Sequence, residues 1–142
     1  MKGLTIDDIS VGMTETFTKT LGESDIYLYA GITGDFNPVH IDETYAKETV
    51  FKTRIAHGLL TAGFISTVLG TKLPGPGAVY VKQELKFLAP VNIGDTLTAK
   101  AEVTEVIKEK NRVVLKTTIS NQNGKTVLDG EAVLSPMKKK KE

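Results

Sequence analysis

Residues 58 to 69 read "GLLTAGFISTVL", and within them the only polar side chains are two threonines and one serine. Apolar groups therefore run all round the helical cylinder rather than along one stripe, and such a helix is stable only when other elements enclose it. Gly70 is its predicted C-cap. The following "KLPGPG" allows no further helix, because proline lacks an N–H and glycine favours left-handed backbone.

The enclosing elements are strands. Val79, Val81, Leu85 and Phe87 alternate with Tyr80, Lys82, Glu84 and Lys86, and Leu97, Ala99, Ala101 and Val103 alternate with Thr98, Lys100, Glu102 and Thr104. This period of two marks strands with one wet face. "RVVLKTTISN" and "KTVLDGEAVL" follow, joined through Asn123-Gly124, a strong hairpin signal, so these strands are expected to form an antiparallel meander.

Upstream, "MTETFTKTL" from Met13 to Leu21 reads as a first strand that Gly22 ends. Ser24 is the predicted N-cap of a helix over "DIYLYAGIT", which cannot pass Asn37 because of Pro38, and Asp42 caps a second short helix at "ETYAKET". A strand, short helices, one enveloped helix and four half-wet strands pack most economically as an α+β hotdog fold, a curved antiparallel sheet wrapped around a buried central helix. One such sheet leaves an open edge, so a homodimer or higher homo-oligomer is expected.

With 142 residues, 40% of them hydrophobic and 25% charged, the chain is expected to form a single domain over 1–136 with a basic disordered tail over 137–142. Its 18 Lys and Arg against 17 Asp and Glu leave a net charge of +1, too small a field for a nucleic-acid or membrane-surface partner. Cysteine is absent, which removes thiol chemistry and suits a reducing compartment. No stretch approaches the roughly 18 apolar residues of a membrane span, and the chain is expected to be cytoplasmic. The two histidines, His40 and His57, are not at i, i+4 spacing, so neither a metal nor another cofactor is expected.

The chemistry is expected in "GDFNPVHID", residues 34 to 42, read as a constrained loop. Adding water across a polarised double bond needs one group to take a proton from water and one to deliver a proton to carbon, and Asp35 with His40 supplies both. Asn37 between them is placed to orient the water or the imidazole, and Gly34 and Pro38 restrict the backbone. On residue types alone a plain surface turn is the better explanation of these residues.

The wider stretch resembles the hydratase signature of MaoC-like proteins. Tyr29, Ile32, Thr33, Gly34, Asp35, Asn37, Pro38, Val39, His40 and Ala46 meet every position of it. The likeness extends to "AHGLLTAGFIS" and "LKFLAPVNIGDTLTAKAEV". It implies an (R)-specific enoyl-CoA hydratase that reversibly converts a trans-2-enoyl thioester to the (3R)-3-hydroxyacyl thioester without a cofactor. Asp35 and His40 would be its catalytic pair and Asn37 their support. The same resemblance assigns the oxyanion donor to the N–H of Gly58, at the positive end of the buried helix, and brings Ser66 toward the substrate. His57 reads as a helix-start histidine bonded to its own surroundings rather than as a second catalytic one.

Three other readings stand beside this one: a (3R)-hydroxyacyl-ACP dehydratase, a hotdog acyl-thioesterase and a non-catalytic acyl-thioester binding module. Residues 58 to 73 contain no Asp or Glu, which weakens the thioesterase. A binding pocket has little use for an acid–base pair.

Overall fold

The computed structural model describes residues 2–139. Strand β1 spans Thr14–Thr20, and the helices are α1, Glu23–Thr33, α2, Pro38–Ile41, α3, Glu43–Ala46, and α4, Gly58–Thr71. The remaining strands are β2, Val79–Phe87, β3, Thr96–Ile107, β4, Arg112–Ser120, and β5, Thr126–Ser135. They form one five-stranded sheet in the order β1-β3-β4-β5-β2 with every pairing antiparallel. Helix α4 packs against β1, β3 and β4. This is the α+β hotdog architecture.

Burial follows the alternation in the middle strands. Leu97, Ala99, Ala101 and Val103 of β3 and Val113, Leu115 and Ile119 of β4 are all at most 1% exposed, and α4 contributes Phe64, Ile65, Val68 and Leu69 to the same core. Only β3, β4 and β5 form the expected meander; β2 lies at the sheet edge beside β5. The reason is the connection over residues 88–95: Pro90 cannot join a ladder, and the Leu88 and Ala89 N–H groups bond to the carbonyl of Val127, which fixes the end of β2 beside β5.

The edge strand also departs from its expected faces. A register shift between Tyr80 and Lys82 breaks the alternation, and Val79, Tyr80, Val81 and Phe87 are exposed. Nor is α4 enclosed on all sides within one chain. Its flank through Leu59, Gly63, Ser66 and Gly70 faces outward.

Several local boundaries moved for identifiable reasons. Gly22, not Ser24, caps α1, because the Asp25 carboxylate reaches back to the Gly22 N–H at 2.8 Å and pairs with Lys19 at 2.6 Å. Helix α4 runs one residue past Gly70, with Lys72 as its C-cap. The Asn123-Gly124 turn is wider than a two-residue hairpin, closed by Asn121 with Lys125, while Gly124 takes φ of 75°. At the C-terminal end Met137 bridges to Thr5; residues 140–142 of the expected tail lie outside the described residues. No helix among the described residues is long and apolar enough to cross a membrane.

At Gly130 β5 faces β2 so closely that a Cβ there would lie 1.9 Å from the Glu84 carbonyl oxygen. Gly130→Ala must push the two strands apart, and overpacking of this kind costs roughly 1–3 kcal/mol. Urea unfolding is expected to show a lower midpoint with an unchanged slope.

Candidate active site

Helix α1 ends at Gly34, whose N–H bonds to the Ala30 carbonyl at 2.8 Å and whose φ of 81° is the left-handed geometry that glycine adopts freely. That turn swings Asp35 away from the helix axis. His40 is not on a loop as expected but on α2, a single turn that Pro38 begins rather than forbids. Proline suits the first helical position, where its missing N–H would have had no partner. Asn37 is the N-cap, its Oδ1 accepting the Val39 N–H at 3.2 Å, and the Asp35 Oδ1 in turn accepts the Asn37 N–H at 3.2 Å. Asn37 therefore shapes the turn that carries His40.

The His40 ring is 9% exposed, and its Nδ1 lies 2.7 Å from the Ile55 carbonyl oxygen. A carbonyl only accepts, so Nδ1 carries the hydrogen and Nε2 keeps its lone pair. Burial is the main reason that His40's pKa falls below the ordinary imidazole value, reinforced by the neighbouring His57; the Ile55 bond and Asp35 act the other way.

The segment that supplies Ile55 is tied down by Arg54. Its guanidinium donates to Glu43 of α3 at 3.3 Å, to Glu23 of α1 at 2.9 Å and to the Tyr27 hydroxyl at 2.8 Å, while Thr53 donates to the other Glu43 oxygen at 2.7 Å. Hydrogen bonds, that from Thr53 first, hold the Glu43 carboxyl below the usual carboxylate range.

His57, the N-cap of α4, donates from Nε2 to the Asp35 main-chain carbonyl at 2.9 Å. Its ring stacks on His40 with centroids 3.9 Å apart and planes inclined by 30°. Its Nδ1 is buried without a hydrogen-bond partner among the described residues, a state that costs about 1–3 kcal/mol.

Tyr29, Asp35, His40, His57, Gly58 and Phe87 meet round a cavity of about 470 Å³ whose remaining walls are mostly apolar, a size that suits a small-molecule ligand. Gly58 lines it at the N-terminus of α4, where N–H groups have no partner inside the helix and the dipole is positive. A Cβ at Gly58 would come within 2.7 Å of the Phe87 ring, so a side chain there would have to displace that ring. Ser66 is exposed on the outer flank of α4 and does not line the cavity, and Asn37 stays behind His40 as its cap. The Ile55 carbonyl and the Phe87 ring had no sequence signal beyond their place in apolar runs.

Asp35, His40 and His57 each offer a possible metal ligand, with those atoms within 4.8 Å of one another. The imidazoles nevertheless meet face to face. Rings stacked with planes inclined by only 30° are a poor fit to one ion, which ring edges approach at Zn–N distances of about 2.0–2.1 Å. The arrangement fits proton transfer better: two proton acceptors, the Asp35 carboxylate and the His40 Nε2, in one apolar cavity with a helix N-terminus.

The family model described as "MaoC like domain" matches residues 8–124. The chain is 58% identical over 128 residues to an (R)-specific enoyl-CoA hydratase of Rhodospirillum rubrum, covering 90% of this chain and 88% of that one. It is 52% identical over 139 residues to a 3-hydroxybutyryl-CoA dehydratase of Methylorubrum extorquens, covering 98% and 88%. Among solved structures, the unliganded R-hydratase PhaJ1 of Pseudomonas aeruginosa superposes with a TM-score of 0.91 at 43% identity, covering 96% of this chain and 88% of that chain. Fold, signature and similarity agree, and the chain belongs to the MaoC-like domain family.

Proposed function

We propose that the protein is an (R)-specific enoyl-CoA hydratase that hydrates trans-2-enoyl-CoA to (3R)-3-hydroxyacyl-CoA and runs the dehydration in reverse. The observation that carries this reading is the convergence of Asp35, His40 and Gly58 on one cavity. Water held between the carboxylate and Nε2 gives up a proton to one of them as its oxygen bonds to the β-carbon. The displaced electron pair passes through the α-carbon to the thioester oxygen, where the Gly58 N–H and the positive end of α4 receive it. The group that took the proton then returns it to the α-carbon, which restores both the thioester and the site.

Hydrolysis of the thioester is the weaker reading. No carboxylate stands on α4. The thioester carrier, coenzyme A or acyl carrier protein, presents the same acyl group to this cavity. A cytoplasmic setting, supported by the absence of cysteine, and a single domain over 1–136 belong to the same proposal.

The working unit is inferred to be a homodimer. Supporting this, β2 is an edge strand with Val79, Tyr80 and Val81 exposed, and Leu59 on the outward flank of α4 is 61% exposed. Both surfaces are apolar, and pairing of two copies covers them. Light scattering after gel filtration is expected to give twice the chain mass.

Two further outcomes test the chemistry. With crotonyl-CoA, Asp35→Asn and His40→Gln are each expected to lose at least roughly a hundredfold in turnover, the scale of a removed acid–base group, while circular dichroism stays unchanged and the wild type yields the (3R) product. The pH profile gives the second. Because His40 must be uncharged and its pKa is lowered, kcat/KM is expected to fall on the acid side with a midpoint below the about 6.5 of a free imidazole.

A further inference from the structure

The chain has two histidines, and the hydration step as drawn uses only His40. His57 is 2% exposed, its Nε2–H is bound to the Asp35 carbonyl at 2.9 Å, and its Nδ1 has no partner among the described residues. A buried polar nitrogen without a partner is uncommon and calls for a reason. We propose that His57 is a positioning residue, an imidazole held through its Nε2–H by the Asp35 main chain, which pins the Asp35 loop to the start of α4 and backs the stacked ring of His40. Its catalytic meaning rests on the hydratase reading; its geometry does not.

The clamp spans the two halves of the site. One end is the residue that bears the carboxylate, and the other immediately precedes the oxyanion glycine, so a single hydrogen bond sets how far the proton acceptor stands from the amide that receives negative charge. An error of about 1 Å in such a spacing can cost a hundredfold in rate. A donor to a carbonyl must carry its hydrogen, so Nε2 of His57 bears the hydrogen that binds Asp35.

The stack explains why an imidazole is retained. With rings 3.9 Å apart and inclined by 30°, a charge placed on His40 lies against a second imidazole, and both rings are buried. The other titratable groups facing the pair are Tyr29 from α1, 4.6 Å from the His57 ring, and Asp35 from the loop; the strand-side walls, Phe87, Ala89, Val91 and Val127, carry none. Burial is the largest influence that disfavours a proton on His40, and His57 adds to it.

Imidazole NMR tests this on the intact protein, because two histidines give two signals and any His57 variant leaves only that of His40. In the wild type at neutral pH, long-range nitrogen–proton correlations are expected to show His57 protonated on Nε2 and His40 on Nδ1; the opposite tautomer at either ring overturns the proposal without any variant. His57→Gln keeps an N–H for the Asp35 carbonyl, and His57→Phe keeps a stacked ring. In both, His40 is expected to titrate at higher pH than in the wild type. With crotonyl-CoA, kcat is expected to fall roughly tenfold to a hundredfold in His57→Phe and less in His57→Gln, with KM little changed.

A His40 midpoint that does not move in His57→Phe overturns the proposal, since a rise confined to His57→Gln would report only water entering the vacated space. Equal loss of kcat in the two variants overturns the clamp. The NMR measurements need no turnover, so they judge His57 even if the wild type fails to hydrate crotonyl-CoA, a result that would refute the hydratase reading instead.

Discussion

Burial of the inner face of α4 against the concave side of the sheet is the contact on which the rest of the molecule depends. Phe64, Ile65, Val68 and Leu69 enter the core made by β3 and β4, and each such side chain contributes about 1.5–3 kcal/mol when fully withdrawn from water. The seated helix has its N-terminus at the cavity, which directs the positive end of fourteen residues of aligned peptides toward the ligand. Asp35 and His40 come to the same place from outside the sheet, through the glycine that ends α1 and the proline that starts α2. Asp35 and His40 are carried by a turn and a short helix, while Gly58 begins the helix packed into the core.

Much of this was legible in the amino-acid sequence because it is local. The enveloped helix, the alternating strands and the turn residues each declare themselves within a dozen positions, and the α+β hotdog architecture follows from their order. What sequence reasoning missed depends on contacts between distant segments. Nothing near Val79 announces that its strand pairs with β5 rather than β3, since that choice is made by how residues 88–95 cross the end of the sheet. Pro38 was read as a stop for one helix, and only the fold shows it as the start of another.

The candidate site divides in the same way. Asp35, His40 and Gly58 were identifiable from residue type, spacing and family signature, and they line one cavity. The Ile55 carbonyl that sets the His40 tautomer was not identifiable, because a backbone acceptor leaves no mark on its own side chain. The stacking of two histidines 17 positions apart was equally hidden. Ser66 lies outside that cavity in the single chain, because its angular position on α4 carries it to the outward flank, which the residue type alone does not reveal.

The exposed edge strand has a consequence for how the molecule must be handled and made. A rim of unpaired N–H and C=O groups bearing Val79, Tyr80 and Val81 will accept any extended chain of suitable shape, not only its twin. Pairing with a second copy would close that rim, whereas a mismatched strand would leave a fresh rim at its own far side and allow open-ended growth. Solubility during synthesis is therefore a contest between two kinds of encounter, and crowding newly made chains together favours the one that does not terminate.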